Sequence, residues 1–455
     1  MKRGKYLIEK NNIMEKEKKI SSLPYNIKEN ISSSILFSIS EDMVAIFSDL
    51  IGDKSPLHSE KAFARRSMYR QQVVHGMLPL GFITLLDTFQ SDNFLCSIVE
   101  LSAQFMGPVF INDKLSLNAV VTEVNTEDAR AKFSYTVENI DSKTILSKGA
   151  ITAEYLPLMA DNQFTYPSSS GGSHAMLQSA ILARELKLED ILENDTDDFS
   201  FTISDKTIAK FVEILLTGIK RSEMPSSTTI PLQFYFPNLL AIIFFSTSGG
   251  MGIPGKHATF LEFMASVHSA IKINVLYLLK GRVTHISQST RIIKKAISVS
   301  YSDNANVIPI TGKVSILVNS PPLNMQSLHF IKENSLDMGI KDKVVLVTGS
   351  SRGIGETTAK LFALHGAKVI VNYFRGEIDA KRIVDEIINS GGDATALCAD
   401  VSDPIQVQEM VKKSVERYQT INILVNNAAH NFRPASFLKL SWNDVQKDID
   451  VIVKG

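Results

Sequence analysis

An acid and an imidazole stand five residues apart near the start of the chain, at Asp53 and His58. A proline lies between them, which indicates a loop, and an acid and a histidine on one short loop can share a water molecule. Gly76 follows at the start of a long apolar segment. A glycine at the first turn of a helix offers an uncovered backbone N–H to a developing negative charge. This set of residues predicts the addition of water to an activated acyl group, or its removal.

The same residues also have structural interpretations. Asp53 and His58 can form an ion pair that braces their loop without any part in catalysis. His75, which precedes Gly76, can act as a hydrogen-bonding residue at the start of a helix rather than as a second base. The sequence motifs that follow in order along the chain favour catalysis by Asp53 and His58.

The composition limits the possible functions. The chain has 455 residues, enough for about three domains, and its 48 basic and 48 acidic residues give no electrostatic case for binding nucleic acid or an anionic membrane. Cys96 and Cys398 lie far apart and outside any metal-ligand spacing, so neither a disulfide nor a metal is expected. The charged arm 1–34 lacks the apolar core of a signal peptide, and the longest apolar run, 239–245, is too short for a bilayer. We expect a cytoplasmic protein.

Residues 35–158 have the pattern of a helix-and-sheet domain. Ser40 can cap a helix whose buried face carries Val44 and Phe47. The apolar segment 75–89 predicts one central, largely buried helix. Later runs have strand character and are separated by turn-forming residues: 96–101, 114–124, 131–137 and 150–155. One buried helix followed by several strands predicts an α+β domain in which a sheet wraps around the helix.

Four motifs follow one another in this domain: Asp53-x-Ser55-Pro56-x-His58, His75-Gly76-Met77, Gly107-Pro108-Val109 and Asp113-Lys114-Leu115. Their order resembles that of a known family, the MaoC-like (R)-specific enoyl thioester hydratases and dehydratases, which have the hot-dog fold. The resemblance implies that Asp53 and His58 handle the water and the α-proton, and that the N–H of Gly76 polarises the thioester carbonyl. Ser55 departs from the family, which usually has Asn before the proline.

An internal repeat follows a linker that we place at 159–200. Residues 203–211 echo residues 39–47 after 164 positions, and residues 312–318 echo the segment from Gly149 after 163 positions. The repeat predicts a second hot-dog unit at 201–322 and therefore a double hot-dog. Its positions equivalent to Asp53 and His58 are Thr217 and Ser222, so we expect this unit to complete the fold and shape the acyl tunnel without chemistry of its own.

From residue 338 onwards, strands and helices alternate. A buried strand at 343–347 leads into Gly349-x-x-x-Gly353-x-Gly355 and then into an apolar helix. Such glycines allow a tight turn and a close approach of the backbone to a pyrophosphate, which the start of the helix faces. Three more strands are predicted further along the chain, at 368–373, 394–399 and 422–425. This order predicts a doubly wound Rossmann-type α/β sheet.

Two further motifs follow the predicted third and fourth strands, Asp400-Val401 and Asn426-Asn427-Ala428-Ala429. With the glycine turn, they make this region resemble the short-chain dehydrogenase/reductase family, specifically the 3-oxoacyl-thioester reductases, although the family usually has Gly where this chain has Ala429. The resemblance implies nucleotide contacts at Gly349, Ser351, Arg352, Gly353, Ile354, Gly355, Asp400, Val401, Asn427 and Ala428.

The end of the second strand of this region bears on the choice of nucleotide. No acid is present at 372–375 to hold a ribose 2′-hydroxyl. Arg352 and Arg375 can instead meet a 2′-phosphate, which favours NADP over NAD. The alternative for Arg375 is a solvated charge at the end of a strand.

Other features of the region 338–455 argue against reductase activity. Ile452 stands where the family has the Asn of its catalytic tetrad, and the sequence given ends at Gly455, before the positions of the catalytic Ser and Tyr-x-x-x-Lys. We therefore expect a truncated, nucleotide-binding half of the fold, with weak or vestigial NADP binding and no reductase activity of its own.

The sequence leaves two hypotheses. The preferred one is a hydro-lyase that interconverts 3-hydroxyacyl and 2-enoyl thioesters of coenzyme A or acyl-carrier protein, with possible homodimer formation. The alternative is a pseudoenzyme that binds acyl thioesters or nucleotides, or a docking remnant of a larger synthase.

Overall fold

The computed structural model describes residues 23–24, 26–91, 93–158, 183–219, 234–320, 339–429 and 442–454. Most of the predicted arm and the glycine- and serine-rich part of the predicted linker lie outside these residues. The chain divides into two compact units, Met1–Pro322 and Leu323–Gly455, which are described separately. No helix in the described part of the chain is long and apolar enough to cross a membrane.

The first unit contains two copies of one strand-and-helix arrangement. The strands of the first copy are β1 (Ser32–Ser38), β2 (Phe94–Phe105), β3 (Lys114–Asn125), β4 (Arg130–Asn139) and β5 (Thr144–Pro157). Its helices are α1 (Glu41–Ile51), α2 (Pro56–Ser59), α3 (Lys61–Arg66) and α4 (Leu78–Gly81).

The second copy follows the same order. Its strands are β6 (Thr196–Thr202), β7 (Ala258–Val267), β8 (Leu276–Ser287), β9 (Ile292–Tyr301) and β10 (Ile310–Val318). Its helices are α5 (Asp205–Thr217), α6 (Phe236–Ile243) and α7 (Phe245–Thr247), and a π-helical turn, Ser248–Gly252, ends the helical segment. β6 starts before residue 201, the expected limit of this copy, because the copy includes a strand ahead of its first helix, as β1 does in the first copy.

All ten strands form one antiparallel sheet in the order β1-β3-β4-β5-β2-β7-β10-β9-β8-β6. The two halves of this order are equivalent, strand for strand, and they meet where β2 pairs with β7, from Glu100 opposite Ser266 to Gln104 opposite Glu262. One hydrophobic core continues through both copies, with the rings of Phe47 and Phe211 6.2 Å apart. The predicted double hot-dog is confirmed.

Helix α1 forms as its sequence predicts. The Ser40 side chain accepts a hydrogen bond from the N–H of Met43, and Val44, Phe47 and Ile51 are buried on one face. Gly52 ends the helix with a left-handed backbone, φ 70°, a conformation that costs glycine little. This turn sends the chain directly into Asp53.

The prediction of a single helix over 75–89 is wrong. The segment is buried, but it divides into α4 and two 3₁₀ turns, Phe82–Leu85 and Asp87–Phe89, with extended backbone at Leu86 between them. Pro79 lacks an N–H and Gly81 disfavours a helix by about 1 kcal/mol relative to alanine, so local preference for a long helix is weak here. The carbonyl of Thr88 is satisfied from another element, since the hydroxyl of Tyr155 on β5 donates to it over 2.7 Å.

The second unit contains a parallel sheet of four strands, β11 (Val344–Val347), β12 (Lys368–Tyr373), β13 (Asp393–Cys398) and β14 (Ile423–Val425), in the order β13-β12-β11-β14. The helices between them are α8 (Gly353–Leu364), α9 (Glu377–Asn389) and α10 (Pro404–Tyr418), and α11 (Trp442–Ile449) follows β14. This is the strand order of a doubly wound nucleotide-binding half. Within the described residues β14 is an edge strand, with Leu424 57% exposed.

Candidate active site

The carboxyl group of Asp53 lies in the interior of the first unit. Asp53 is 1% exposed, and its Oδ1 accepts a hydrogen bond of 3.2 Å from the backbone N–H of Ser55. Because Ser55 uses its backbone, this contact does not depend on the Asn that the resemblance leads one to expect before the proline. Oδ2 accepts a bond of 2.8 Å from the hydroxyl of Ser246 in the second copy.

His58 lies on the single-turn helix α2, which starts at Pro56. Its Nδ1 is 2.6 Å from the carbonyl oxygen of Val73. A carbonyl only accepts, so Nδ1 carries the hydrogen and Nε2 keeps a lone pair in the neutral ring. The residue is partly exposed, unlike Asp53. The ring is therefore fixed in the tautomer that a base acting through Nε2 needs.

His75 is fully buried and stacks on His58, with ring centroids 3.9 Å apart and an angle of 29° between the rings. Its Nε2 donates a hydrogen bond of 3.0 Å to the backbone carbonyl of Asp53. Burial, and then the charge of His58, hold the pKa of His75 well below its usual value. These contacts match the hydrogen-bonding role for His75 that the sequence left open, since a neutral ring ties the Asp53 loop to the next segment.

Asp53 and His58 are close enough to act on one water molecule. A carboxylate oxygen of Asp53 and a ring nitrogen of His58 lie within 4.8 Å of each other, a separation that one water can bridge. Burial raises the pKa of Asp53, while His58, Ser246 and Ser55 oppose this rise. A carboxyl group with a raised pKa keeps its proton to a higher pH than usual and can release it to a leaving group.

The same cluster has the residue types of a metal site. Asp53, His58 and His75 each offer one ligand atom, all within 4.8 Å of one another. The two histidine rings are stacked, and Nδ1 of His58 and Nε2 of His75 are already engaged by backbone carbonyls. This leaves Nε2 of His58 and Nδ1 of His75 as the ring nitrogens that can meet a water molecule or an ion.

Gly76 lies two residues ahead of α4 and next to the histidine stack. Its N–H has no hydrogen-bond acceptor within the described part of the chain. A Cβ at this position would lie 2.9 Å from the ring of Phe105, so the backbone is closely covered on that side. Because α4 is only a single turn, the N–H itself, rather than a helix dipole, is the donor available to an oxyanion.

The second copy completes the site, which the sequence did not predict. Besides the bond from Ser246 to Asp53, Thr247 donates to the carbonyl of Ile51 over 3.3 Å. Gly250 passes so close that a Cβ there would lie 2.7 Å from Oδ1 of Asp53. Of the positions equivalent to the dyad, Thr217 ends α5, and Ser222 lies outside the described residues. The only signal in the sequence is the run of small residues after the apolar segment at 239–245.

In the second unit, the glycines after β11 serve separate purposes. Gly349 and Gly353 have left-handed backbones, φ 61° and 59°. Gly355 begins the buried part of α8. A Cβ on Gly355 would lie 2.4 Å from the side-chain nitrogen of Asn427, so this position has no room for a side chain. The turn, the start of the helix and the end of β14 thus meet at the carboxyl edge of the sheet, the usual place for a nucleotide.

Two asparagines hold this turn in place. Asn372 is 1% exposed, its Oδ1 accepts from the N–H of Gly349 over 2.9 Å, and its Nδ2 donates to the carbonyls of Leu397 and Ala399. Asn372 is not among the residues predicted from the sequence, although an amide within an apolar strand is an available signal. Asn427 donates to the carbonyls of Thr348 and Gly349, at 2.9 and 3.1 Å. Both amides therefore position the turn.

The remaining predicted nucleotide residues differ in exposure. Ile354 is 81% exposed, Arg352 and Arg375 are exposed, Ser351 is partly exposed, and Val401 is buried. Asp400 accepts bonds from the N–H and hydroxyl of Ser402 through Oδ1. The N–H of Ala428 donates to the hydroxyl of Thr348 over 3.0 Å. These residues follow β11, β12, β13 and β14, so the sheet brings their backbones to one edge.

Comparisons with known proteins match these two regions separately. A family model described as "MaoC like domain" matches residues 22–143, and one described as "short chain dehydrogenase" matches residues 343–455. A solved structure titled "MaoC-like dehydratase" is 11% identical, with a TM-score of 0.46, and the match covers 65% of this chain and 99% of that one.

Curated relatives match the second region. The 3-oxoacyl-[acyl-carrier-protein] reductase of Synechocystis is 40% identical over 113 residues, which are 25% of this chain and 45% of that protein. The chain thus spans about half the length of this relative. The short-chain dehydrogenase/reductase homolog YusS of Bacillus subtilis is 42% identical over 92 residues, which are 20% of this chain and 84% of that protein. The chain belongs to the short-chain dehydrogenase/reductase family through residues 343–455, and its N-terminal region carries a MaoC-like domain at residues 22–143.

Proposed function

We propose that the first unit is a hydro-lyase that interconverts 2-enoyl and 3-hydroxyacyl thioesters, with Asp53 and His58 as the catalytic residues. The observation that carries the proposal is that the buried carboxyl group of Asp53 lies within 4.8 Å of a ring nitrogen of His58, and that Nδ1 of this ring is fixed by the carbonyl of Val73. This arrangement supplies an acid and a base on either side of one water molecule.

The proposed reaction conserves protons within the pair. In dehydration, Nε2 of neutral His58 takes the α-proton, and protonated Asp53 gives its proton to the hydroxyl group, which leaves as water. In hydration, ionised Asp53 takes a proton from water as the oxygen bonds to the β-carbon, and protonated His58 returns a proton to the α-carbon. In both directions the reactive form of the Asp53–His58 pair holds one proton in total. The rates of hydration and dehydration should therefore depend on pH in the same way.

The negative charge that develops on the thioester oxygen needs a hydrogen-bond donor. We assign this role to the N–H of Gly76, because it has no acceptor among the described residues and lies beside the histidine stack. A donor that is already in place stabilises an enolate-like oxygen without reorganisation.

Incubation of the purified protein with a crotonyl thioester of coenzyme A, and separately of acyl-carrier protein, tests the activity. Loss of the enoyl absorbance with formation of the 3-hydroxyacyl product is the expected result, and the carrier that reacts faster is the natural one. An unchanged absorbance would contradict the proposal. Binding of the thioester without turnover would instead favour the alternative of an acyl-thioester-binding pseudoenzyme.

We further propose that residues 338–455 bind NADP and derive from a 3-oxoacyl thioester reductase. The name of the Synechocystis relative and the glycine turn held by Asn372 support this. A reductase would form the 3-hydroxyacyl thioester that the first unit dehydrates, so the two regions suit consecutive steps on one acyl chain. Absence of NADPH binding in a titration would contradict this proposal.

A further inference from the structure

A buried ion pair lies in the second copy, which has no catalytic dyad. Nζ of Lys295 on β9 is 2.5 Å from Oδ2 of Asp197 on β6, and both side chains are at most 1% exposed. Removing two charges from water is costly, and apolar residues of similar volume often stabilise a core as well as such a pair does. The pair therefore calls for a role other than stability.

Its other hydrogen bonds all reach one turn, residues 248–253. Lys295 Nζ donates to the carbonyl of Ser248 over 2.9 Å and to its hydroxyl over 2.7 Å, and it reaches the carbonyl of Ile253 at 3.2 Å. The hydroxyl of Ser248 donates in turn to Oδ1 of Asp197 over 2.8 Å, and the N–H of Ile253 donates to Oδ2 over 2.8 Å. The pair thus fixes both ends of the turn.

This turn connects the ion pair to Asp53. A Cβ on Gly250 would lie 2.7 Å from Oδ1 of Asp53, and one on Gly252 would lie 2.5 Å from Oδ2 of Asp197. The glycines let the backbone pass between two buried carboxyl groups, which leaves no room for a side chain on either side. Ser246, immediately before the turn, donates its hydroxyl to Asp53.

We propose that Asp197 and Lys295 are positioning residues for the hydration of enoyl thioesters, because they hold the 248–253 turn and so keep Ser246 and Gly250 against the carboxyl group of Asp53. The proposal rests on the proposed function of the first unit. It makes the second copy a working part of the site instead of a wall of the acyl tunnel. Misplacement of a catalytic group by about 1 Å can lower a rate by about 100-fold.

The double variant Asp197→Leu/Lys295→Met separates positioning from stability. It removes one positive and one negative charge together, so the field at Asp53 changes little, and no buried charge is left unpaired. The groups that face Asp53 directly, His58, Ser55 and Ser246, are all retained. A positioning role predicts that kcat for crotonyl thioester hydration falls about 10-fold or more, while KM changes less than about threefold.

Two further variants complete the test. Ser248→Ala removes one of the links between the pair and the turn and keeps the bonds through the backbone of Ser248 and Ile253, so we expect a smaller decrease in kcat. Lys294→Met, at the exposed neighbour of Lys295, is the matched control and keeps the wild-type kcat. An unchanged kcat in a folded double variant and in Ser248→Ala would overturn the proposal.

A readout that does not need turnover distinguishes this proposal from the proposed function. The carboxyl group of Asp53 can be titrated by difference infrared spectroscopy against Asp53→Asn. Loss of the Ser246 bond raises the pKa of Asp53, so the midpoint is expected to move to higher pH in the double variant and in Ser248→Ala. If the Asp53 midpoint shifts in the variants but the wild type has no hydratase activity, only the proposed function is refuted. If the wild type is active and the Asp53 midpoint does not shift in the variants, only the positioning role is refuted.

Discussion

The hydroxyl of Ser246 donates a hydrogen bond of 2.8 Å to Oδ2 of Asp53, although the two residues are 193 positions apart. The bond joins the two copies of the repeat at the carboxyl group that we assign to catalysis. One copy supplies the acid and the imidazoles, and the other supplies a donor to the acid. The site therefore depends on both copies, even though only one has the dyad.

Replacement of Ser246 tests this dependence. Its hydrogen bond stabilises the ionised form and lowers the pKa of Asp53, so Ser246→Ala should raise that pKa further. Hydration needs ionised Asp53, and the rate should therefore begin to fall at a higher pH than in the wild type. At acidic pH we expect a loss of about 10-fold, as for one hydrogen bond to a charged group. The pH dependence of kcat/KM measures this, with the exposed Ser59→Ala as control; coincident profiles for all three proteins would refute the role of Ser246.

His75 should make stability depend on pH. Burial lowers its pKa well below 6.5, so the folded chain keeps this ring neutral where the unfolded chain protonates it. The free energy of unfolding should consequently fall as the pH drops below about 6.5, by up to about 1.4 kcal/mol per pH unit for one proton. Stability above that pH retains the full contribution of the neutral ring.

Urea unfolding, followed by far-UV circular dichroism at several pH values, checks this expectation. The raised pKa of Asp53 acts in the opposite sense, because its ionisation disfavours the fold as the pH rises. Comparison of the wild type with His75→Gln isolates the histidine, and His285→Gln at an exposed position is the control. Equal pH slopes in the wild type and His75→Gln would show that His75 is not held neutral.

Arg375 should favour NADPH over NADH, because only NADPH carries a 2′-phosphate. Its guanidinium lies 5.1 Å from the ring centre of Phe374 at the end of β12, and the residue is exposed. Arg375→Ala should weaken NADPH binding about 10-fold, because a charge-assisted bond to a phosphate is lost, and should leave NADH binding nearly unchanged. Fluorescence titration with both nucleotides measures the ratio, with Lys412→Ala as the control. Equal losses for the two nucleotides would mean that Arg375 does not contact the 2′-phosphate.

Asn372 should be required for the glycine turn. Asn372→Ala removes one bond to the N–H of Gly349 and leaves two carbonyls of the next strand without their donor. Unpaired buried polar groups cost about 1–3 kcal/mol each, so unfolding of the second unit should become easier by about 2 kcal/mol or more, and NADPH binding should weaken. Asn389→Ala, at the exposed end of α9, should change neither. Unchanged stability and unchanged NADPH binding in Asn372→Ala would show that the turn holds its shape without the amide.

Local sequence patterns predicted much of this molecule for identifiable reasons. Ser40 caps α1 through its neighbours, the alternation of apolar residues predicts the strands, and Gly349 and Gly353 are favoured by their own left-handed backbone angles. The offset of 164 residues predicted the second copy because a repeated pattern buries repeated faces. All these features depend on residues close together in the chain.

The missed features depend on distant contacts. Ser246 acts on a residue in the other copy, and Asn372 satisfies groups on two neighbouring segments. The local signals, a run of small residues and an amide in an apolar strand, do not reveal these partners. The helix predicted at 75–89 breaks at Leu86, and the carbonyl of Thr88 beyond the break is satisfied by Tyr155, 67 positions away in the chain. The Asp197–Lys295 pair is equally invisible in the sequence, since its members are 98 residues apart.

The rate of enoyl thioester hydration by Asp53→Asn tests the central claim most directly. Asparagine keeps the size of the side chain but cannot take a proton from water, so kcat/KM should fall by about 100- to 10,000-fold. Asp49→Asn, at an exposed acid four residues earlier that pairs with Lys54, should keep the wild-type rate. A wild-type rate in Asp53→Asn would contradict the assignment of the catalytic pair.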